Sequence, residues 1–269
     1  MSTKVGIIGC GFVGGAMYAN FNGNFDVYVW DTNKEKRTVD TIEDFVRLSD
    51  IIFVCVPTPM KENGECDTSI VENVVEQIAK IDKTKFVVIK STVVPGTTAE
   101  LAKRYGIRIG FNPEFLTEAN SIKDFRDQEL IVIGADDVDT AELMESVYRQ
   151  FGYVTGNSCH VIRRTTKEAE LFKYLANCFL ATKVMFANEF KILCDNSEVD
   201  YNRIAELAML DSRLGKTHWR VPGPDGKLGF GGSCFPKDTA ALLSYADDIE
   251  TSLWLLTEAS YINEDLRNK

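Results

Sequence analysis

Short apolar runs alternate with amphipathic stretches through the first half of this chain. Residues 4–8, 25–30, 51–56, 86–89, 107–111 and 130–133 are compact apolar runs bounded by turn residues, the pattern of buried strands. Between them, the segment running to about Phe21 and residues 69–81, 97–105 and 138–151 repeat their apolar positions with a helical period. Strands alternating with helices predict a parallel sheet covered on both faces. The beat changes after about residue 160. Residues 165–194 contain neither proline nor glycine and predict a long spine helix, or two stacked helices. Residues 199–210, 238–246 and 252–266 predict further helices. The glycine-bearing stretch 211–233, with Pro222 and Pro224, predicts a long functional loop.

The first run leads into Gly9-Cys10-Gly11-Phe12-Val13-Gly14, then a helix, then a second strand ending at Asp31. That order is the dinucleotide-binding βαβ unit: the glycines allow a tight turn and close approach of the pyrophosphate to a helix N-terminus. Asp31 is placed to accept hydrogen bonds from ribose hydroxyls and to repel a 2′-phosphate, so NAD is expected rather than NADP; Lys36 stands within reach of the adenosine half. Val56-Pro57-Thr58-Pro59 and Lys90-Ser91-Thr92-Val93 carry hydroxyls at the carboxyl edge of the sheet, where ligands bind in such folds. The expected fold class is therefore α/β. A Rossmann-type doubly wound NAD-binding domain (1–160) is followed by an all-helical central domain (161–269) carrying a cysteine loop.

Composition excludes several roles. The net charge of −10 argues against a nucleic-acid surface or an anionic membrane surface. No run approaches the ~20 apolar residues needed to span a bilayer, and the start lacks a signal-peptide pattern. Seven scattered cysteines without a C-x-x-C pair, and only His160 and His218, predict no metal site and a reduced, cytoplasmic setting.

The strongest chemical signal is Gly229-Phe230-Gly231-Gly232-Ser233-Cys234-Phe235-Pro236-Lys237-Asp238. It sets one cysteine on a glycine-rich loop with an ammonium and a carboxylate close behind, surroundings that favour the nucleophilic thiolate. Cys55, in an apolar strand, reads instead as an inert filler. Lys173 and Asn177 lie four apart on the spine helix and share a face suited to donating hydrogen bonds to an oxyanion. Phe111-Asn112-Pro113-Glu114-Phe115-Leu116-Thr117-Glu118 follows a strand and offers two carboxylates for work on a water.

Four of these segments together resemble the UDP-glucose/GDP-mannose 6-dehydrogenase family, nearest its UDP-glucose branch: the glycine turn, Asn112-Pro113-Glu114-Phe115-Leu116, the Lys173–Asn177 pair, and the stretch from Phe230 to Asp238. The resemblance implies oxidation of a sugar-nucleotide C6 alcohol to a carboxylate with two NAD, UDP-glucose becoming UDP-glucuronate. Cys234 would hold a thiohemiacetal and then a thioester, and Lys173 and Asn177 would stabilise the oxyanions. Asp238 and Thr92 would hold the catalytic water, with Glu118 as base and Glu114 in support. The resemblance further implies cofactor contacts from Gly9, Gly11, Phe12, Val13, Gly14, Asp31, Lys36, Pro57, Thr58, Ser91 and Thr92. Substrate contacts are implied for Phe115, Leu116, Lys173, Asn177, Phe230, Gly231 and Arg213, the last across a homodimer formed through the central helices.

Family members usually continue into a second Rossmann-like domain where this sequence reaches Lys269, so that domain's contacts with the nucleotide are expected to be missing. Arg220 and Lys227 of the long loop are candidates to replace them on phosphate. Gln128-Glu129-Leu130 stands where the family often has an arginine, and no role transfers there. Three alternatives share part of the pattern. One is a GDP-mannose or UDP-N-acetylhexosamine 6-dehydrogenase. Another is a hydroxyacid dehydrogenase of the 6-phosphogluconate/3-hydroxyisobutyrate group, which needs no nucleophilic cysteine. The third is a non-catalytic NAD-binding subunit.

Overall fold

The structure, a computed structural model, describes residues 3–156 and 159–268; of Glu118, Tyr153 and Val154 it describes the backbone only. The chain divides into two compact units. The first comprises Met1–Pro59 and Asp67–Lys173, the second Met60–Cys66 and Tyr174–Lys269. The division falls inside one long helix, whereas the change of composition lies near residue 160.

The first unit is built on a seven-stranded sheet in the order β2-β1-β3-β4-β5-β6-β7. Its strands are β1 (Lys4–Ile8), β2 (Asp26–Trp30), β3 (Ile51–Val54), β4 (Phe86–Ile89), β5 (Arg108–Phe111), β6 (Leu130–Gly134) and β7 (His160–Arg164). The helices are α1 (Phe12–Phe21), α2 (Ile42–Leu48), α3 (Ser69–Ile81), α4 (Thr97–Tyr105), α5 (Ser121–Arg126) and α6 (Val138–Thr155), with the start of α7 (Thr166–Asn196). Neighbouring strand residues point to opposite faces, and each face has its own core. Ile7, Ile51, Phe53 and Val88 pack with Met17 and Phe21 of α1, Phe125 of α5 and Tyr148 and Phe151 of α6. Ile8, Ile52, Val54 and Ile89 pack with Phe45 of α2, Val71, Val75 and Ile78 of α3 and Leu101 of α4. Burial on both sides is why these strands read as unbroken apolar runs.

The expectation of a wholly parallel sheet needs one correction. β6 runs antiparallel to β5, paired only through Phe111 and Gly134, while every other neighbouring pair is parallel. The link between them holds a six-residue helix, α5, about 9 Å long at ~1.5 Å per residue. Three elements left no clear pattern in the sequence: α2, α5 and the exposed edge strand β7. The first is marked only by its cap, where the Thr41 hydroxyl accepts the Asp44 N–H at 3.1 Å.

α7 is a single helix of 31 residues, which settles the choice between one spine and two stacked helices. Its first turns belong to the first unit and tie it down by two carboxylates. Asp136 accepts the Thr166 N–H at 3.0 Å and its hydroxyl at 2.6 Å. Buried Glu170 accepts Gly96 N–H at 2.5 Å, Thr98 N–H at 2.9 Å and the Thr98 hydroxyl at 2.5 Å, and so caps α4 from a distant element. Substituting Glu170→Ala strands two amide donors next to the core. It is expected to lower unfolding free energy by about 2 kcal/mol or more. An unchanged melting temperature would remove this cap from the account.

The second unit holds the rest of α7, α8 (Tyr201–Leu210), α9 (Phe235–Asp248) and α10 (Trp254–Arg267). Ala181 and Met185 of α7 pack with Phe230 and with Ala259 of α10. The 211–233 loop is anchored at several points. Lys183 Nζ donates to Leu214 O at 2.8 Å, Tyr201 OH to Trp219 O at 2.6 Å, Gly229 N to Asn188 Oδ1 at 3.0 Å and Phe230 N to Asn263 Oδ1 at 2.7 Å. Among the described residues no helix is long and apolar enough to cross a membrane, and no cluster of side chains is suited to a metal ion.

Candidate active site

The chain order around β1 reverses between β2 on one side and β3 on the other, the switch point at which open α/β sheets bind ligands. The glycine turn sits there. Gly9 has φ +88°, and a Cβ on it would stand 2.7 Å from Cys55 O. A Cβ on Gly14 would stand 2.0 Å from Gly9 O, so the start of α1 packs against the turn only because both residues are glycine. Gly11 is different, because a Cβ there meets nothing within 4 Å. The chain itself has no need of glycine at that position, whereas a pyrophosphate lying against the backbone does. The first turn of α1 has no side-chain cap and no acidic residue, which leaves its amides and the positive end of its dipole for an anion. Phe12 and Val13 are half-buried in that turn.

Asp31 closes the other side. Its Oδ2 accepts Cys10 N–H at 2.6 Å and its Oδ1 accepts Asn33 N–H at 2.8 Å. Partial burial raises the Asp31 carboxyl, but these two amides and Lys36 outweigh it and hold the group below its ordinary value. Lys36 Nζ reaches back to Cys10 O at 2.8 Å, tying it to the turn. Arg37, which the sequence pattern did not single out, lies 3.7 Å over the Trp30 ring and donates to Asp31 O at 2.6 Å. At the neighbouring strand ends Thr58, Ser91 and Thr92 are buried and Pro57 is exposed; the Ser91 hydroxyl donates to Val56 O at 2.7 Å. A bare glycine, uncapped amides and an ionised carboxylate are the donor and acceptor set that NAD requires. We expect Gly11→Ala to leave the melting temperature unchanged and weaken NAD binding at least tenfold, about 1.4 kcal/mol, in a fluorescence titration. Gly14→Ala should damage both.

Further along the same edge, Lys173 is 3% exposed and donates from Nζ to Glu114 O at 2.5 Å and Glu114 Oε1 at 3.0 Å. Glu114 Oε2 accepts Leu116 N–H at 2.9 Å. Burial pushes the Glu114 carboxyl up; Lys173, the Leu116 amide and Lys90 overcome it and keep the group below the usual carboxylate range. Phe115 is partly exposed, its ring centroid 5.2 Å from Lys173 Nζ and 5.6 Å from the Phe172 ring. Leu116 is half-buried. Glu118 begins a short 3-10 turn, and its side chain lies outside the described residues. The sequence reading also missed a group here: Lys90, Asn112 and Tyr148 are almost fully buried and joined by hydrogen bonds.

The second unit brings a different set together. Cys234 is half-buried at the N-cap of α9, a 14-residue helix with proline in its first turn. Ser233 Oγ lies 3.7 Å from Cys234 Sγ. Asp238, one turn on and 1% exposed, takes Lys237 Nζ on Oδ1 at 2.5 Å and Asn177 Nδ2 on Oδ2 at 2.6 Å. Asn177 therefore reaches this carboxylate from α7, one turn after Lys173. Burial pushes the Cys55 and Cys178 thiols each up to about 12, the environment of inert fillers. Phe230 is buried, and a Cβ on Gly231 would meet the Arg267 guanidinium at 2.5 Å. Arg213 extends into solvent, paired with Asp211 at 2.6 Å. Arg220 and Lys227 are exposed.

Residues 36–152 match the model described as UDP-glucose/GDP-mannose dehydrogenase family, NAD binding domain, and residues 167–265 match that family's central domain. The chain belongs to the UDP-glucose/GDP-mannose dehydrogenase family. The glycine turn lies before the matched residues, so the family assignment and the cradle geometry are separate observations that agree on an NAD-binding domain. The chain is 35% identical over 235 residues to UDP-glucose 6-dehydrogenase TuaD of Bacillus subtilis (strain 168), covering 84% of this chain and 49% of that protein. It is 35% identical over 218 residues to GDP-mannose 6-dehydrogenase of Pseudomonas aeruginosa, covering 75% and 48%. A solved UDP-glucose dehydrogenase from Pyrobaculum islandicum matches with a TM-score of 0.85 at 28% identity, over 98% of this chain and 68% of that one. The chain spans about half the length of the curated relatives it matches.

Proposed function

We propose that this chain is the catalytic part of an NAD-dependent nucleotide-sugar 6-dehydrogenase, with UDP-glucose as substrate and UDP-glucuronate as product. The observation that carries the reading is Cys234: a half-buried thiol opening α9, within a segment that matches the family's central domain. NAD, held by the glycine turn and Asp31, supplies the hydride acceptor when bound. Cys234 adds its sulfur to C6 at the aldehyde stage, so that the carbon stays covalently held as a thiohemiacetal and is then carried on as a thioester. Lys173 and Asn177 donate to the oxygen that bears charge in both adducts. Asp238 and Thr92 hold the water that cleaves the thioester, Glu118 takes its proton, and Glu114 fixes the Lys173 ammonium. Phe115, Leu116, Phe230 and Gly231 are assigned to the substrate. Arg213 is assigned to the substrate of a second copy, and its outward reach fits that role. Phe179, Phe186 and Leu193 are exposed on α7 at heptad spacing, which supports pairing of two copies through the central helices. The cytoplasm is where the reading places the protein.

The test of substrate class is turnover with NAD on a panel of UDP-glucose, GDP-mannose, UDP-N-acetylmannosamine and small hydroxyacids. NADH production on UDP-glucose above the others supports the proposal. Turnover only on a hydroxyacid, indifferent to Cys234→Ser, or NAD binding without turnover on any of them, would replace it.

A further inference from the structure

The buried polar group beneath the Glu114 loop has no part in the scheme above. Lys90 follows β4, Asn112 follows β5 and Tyr148 belongs to α6; each is at most 3% exposed. Lys90 Nζ and Tyr148 OH both donate to Asn112 Oδ1 at 2.5 Å. Asn112 Nδ2 donates to Val132 O at 2.8 Å, and its backbone N–H to Ile89 O at 2.9 Å. Asn112 is thereby held by three elements at once, and Glu114 is only two residues further on.

An ammonium buried against a neutral amide oxygen is a costly arrangement, and an apolar side chain would finish β4 without that cost. Burial pushes Lys90 down to about 8; Cys55 at the end of β3 and Glu114 favour its ammonium, and Lys173 of α7 opposes it. Tyr148 faces it from α6 with a phenol that burial pushes up, so the phenol stays neutral. The Lys90 ammonium is the smallest of the influences that hold Glu114 below the usual carboxylate range, after Lys173 and the Leu116 amide.

We propose that Lys90 is a positioning residue: its buried ammonium, hydrogen-bonded to Asn112, fixes the loop that carries Glu114, and so sets the Lys173 ammonium in place. The role rests on the part given to Lys173 above, but its electrostatic half can be read without turnover. Lys90→Gln keeps a donor for Asn112 and removes the charge. Tyr148→Phe removes a donor and keeps the charge.

The experiment follows the Glu114 carboxyl by NMR in the full-length protein labelled with ¹³C-glutamate, its signal assigned by loss in Glu114→Gln. We expect the Glu114 midpoint to rise by about 0.5 pH unit or more in Lys90→Gln, and to stay within about 0.3 units in Tyr148→Phe. The acid limb of kcat on UDP-glucose should move by the same amount. An unmoved midpoint in Lys90→Gln, or an equal rise in Tyr148→Phe, overturns the proposal. If no nucleotide sugar is turned over, the proposed function fails while the carboxyl titration still decides the role of Lys90.

Discussion

Replacing Cys234 by serine is expected to lower kcat on UDP-glucose by at least about 10³-fold while leaving NAD affinity unchanged. Sulfur adds readily to a carbonyl carbon, whereas a serine hydroxyl in the same place is a weak nucleophile unless an adjacent base activates it. Serine therefore offers no competent nucleophile for the aldehyde stage, and no oxygen ester formed in its place would be cleaved as readily as a thioester. NAD affinity is preserved because the glycine turn, Asp31 and Lys36 all belong to the first unit. Steady-state kinetics and a fluorescence titration of NAD measure the two effects separately. Wild-type turnover in Cys234→Ser would remove sulfur from the mechanism.

Lys173→Met is the second large effect, and it acts on stability as well as rate. In the wild type, Glu114 is nearly buried and held ionised by Lys173, so its folded value lies below its unfolded one. The pair then contributes stability that is fully present above the unfolded glutamate range and is lost as pH falls through the folded value. Without the ammonium, burial dominates and Glu114 is pushed above its unfolded value. The sign of the dependence reverses: the variant becomes less stable as pH rises from 4 toward 7. Breaking such a buried pair costs about 3–5 kcal/mol at neutral pH. The loss of an oxyanion donor costs about 10²–10³ in kcat. The double variant Lys173→Met, Glu114→Gln removes the orphaned charge, and is expected to recover much of the stability and none of the rate. Recovery of the rate would mean that Lys173 only neutralises Glu114.

Much of this fold was legible because each element announces itself locally. Residues 69–81, 86–89 and 97–105 were bounded correctly from pattern alone: the two helices are amphipathic and the strand is buried on both faces. What escaped notice lacked such a signature. α2 has seven residues, β7 is an exposed edge strand with no apolar alternation, and the reversal of β6 shows only in its pairing with β5 through Phe111 and Gly134. The chemistry divides in the same way. The glycine turn and the Cys234 loop are contiguous in sequence, and residue type and spacing were enough to find them. The Lys90–Asn112–Tyr148 group joins positions 22 and 36 residues apart. Its one local sign was a lysine directly after an apolar strand. Arg37 on Trp30 is likewise a contact made by a turn, with no motif of its own.

The most direct test of the central claim is the number of NADH formed per UDP-glucose consumed, measured at completion with excess NAD. Covalent retention of the aldehyde stage on Cys234, followed by a second oxidation, predicts two NADH per sugar with UDP-glucuronate as the only product. One NADH per sugar, with free aldehyde released, would contradict it.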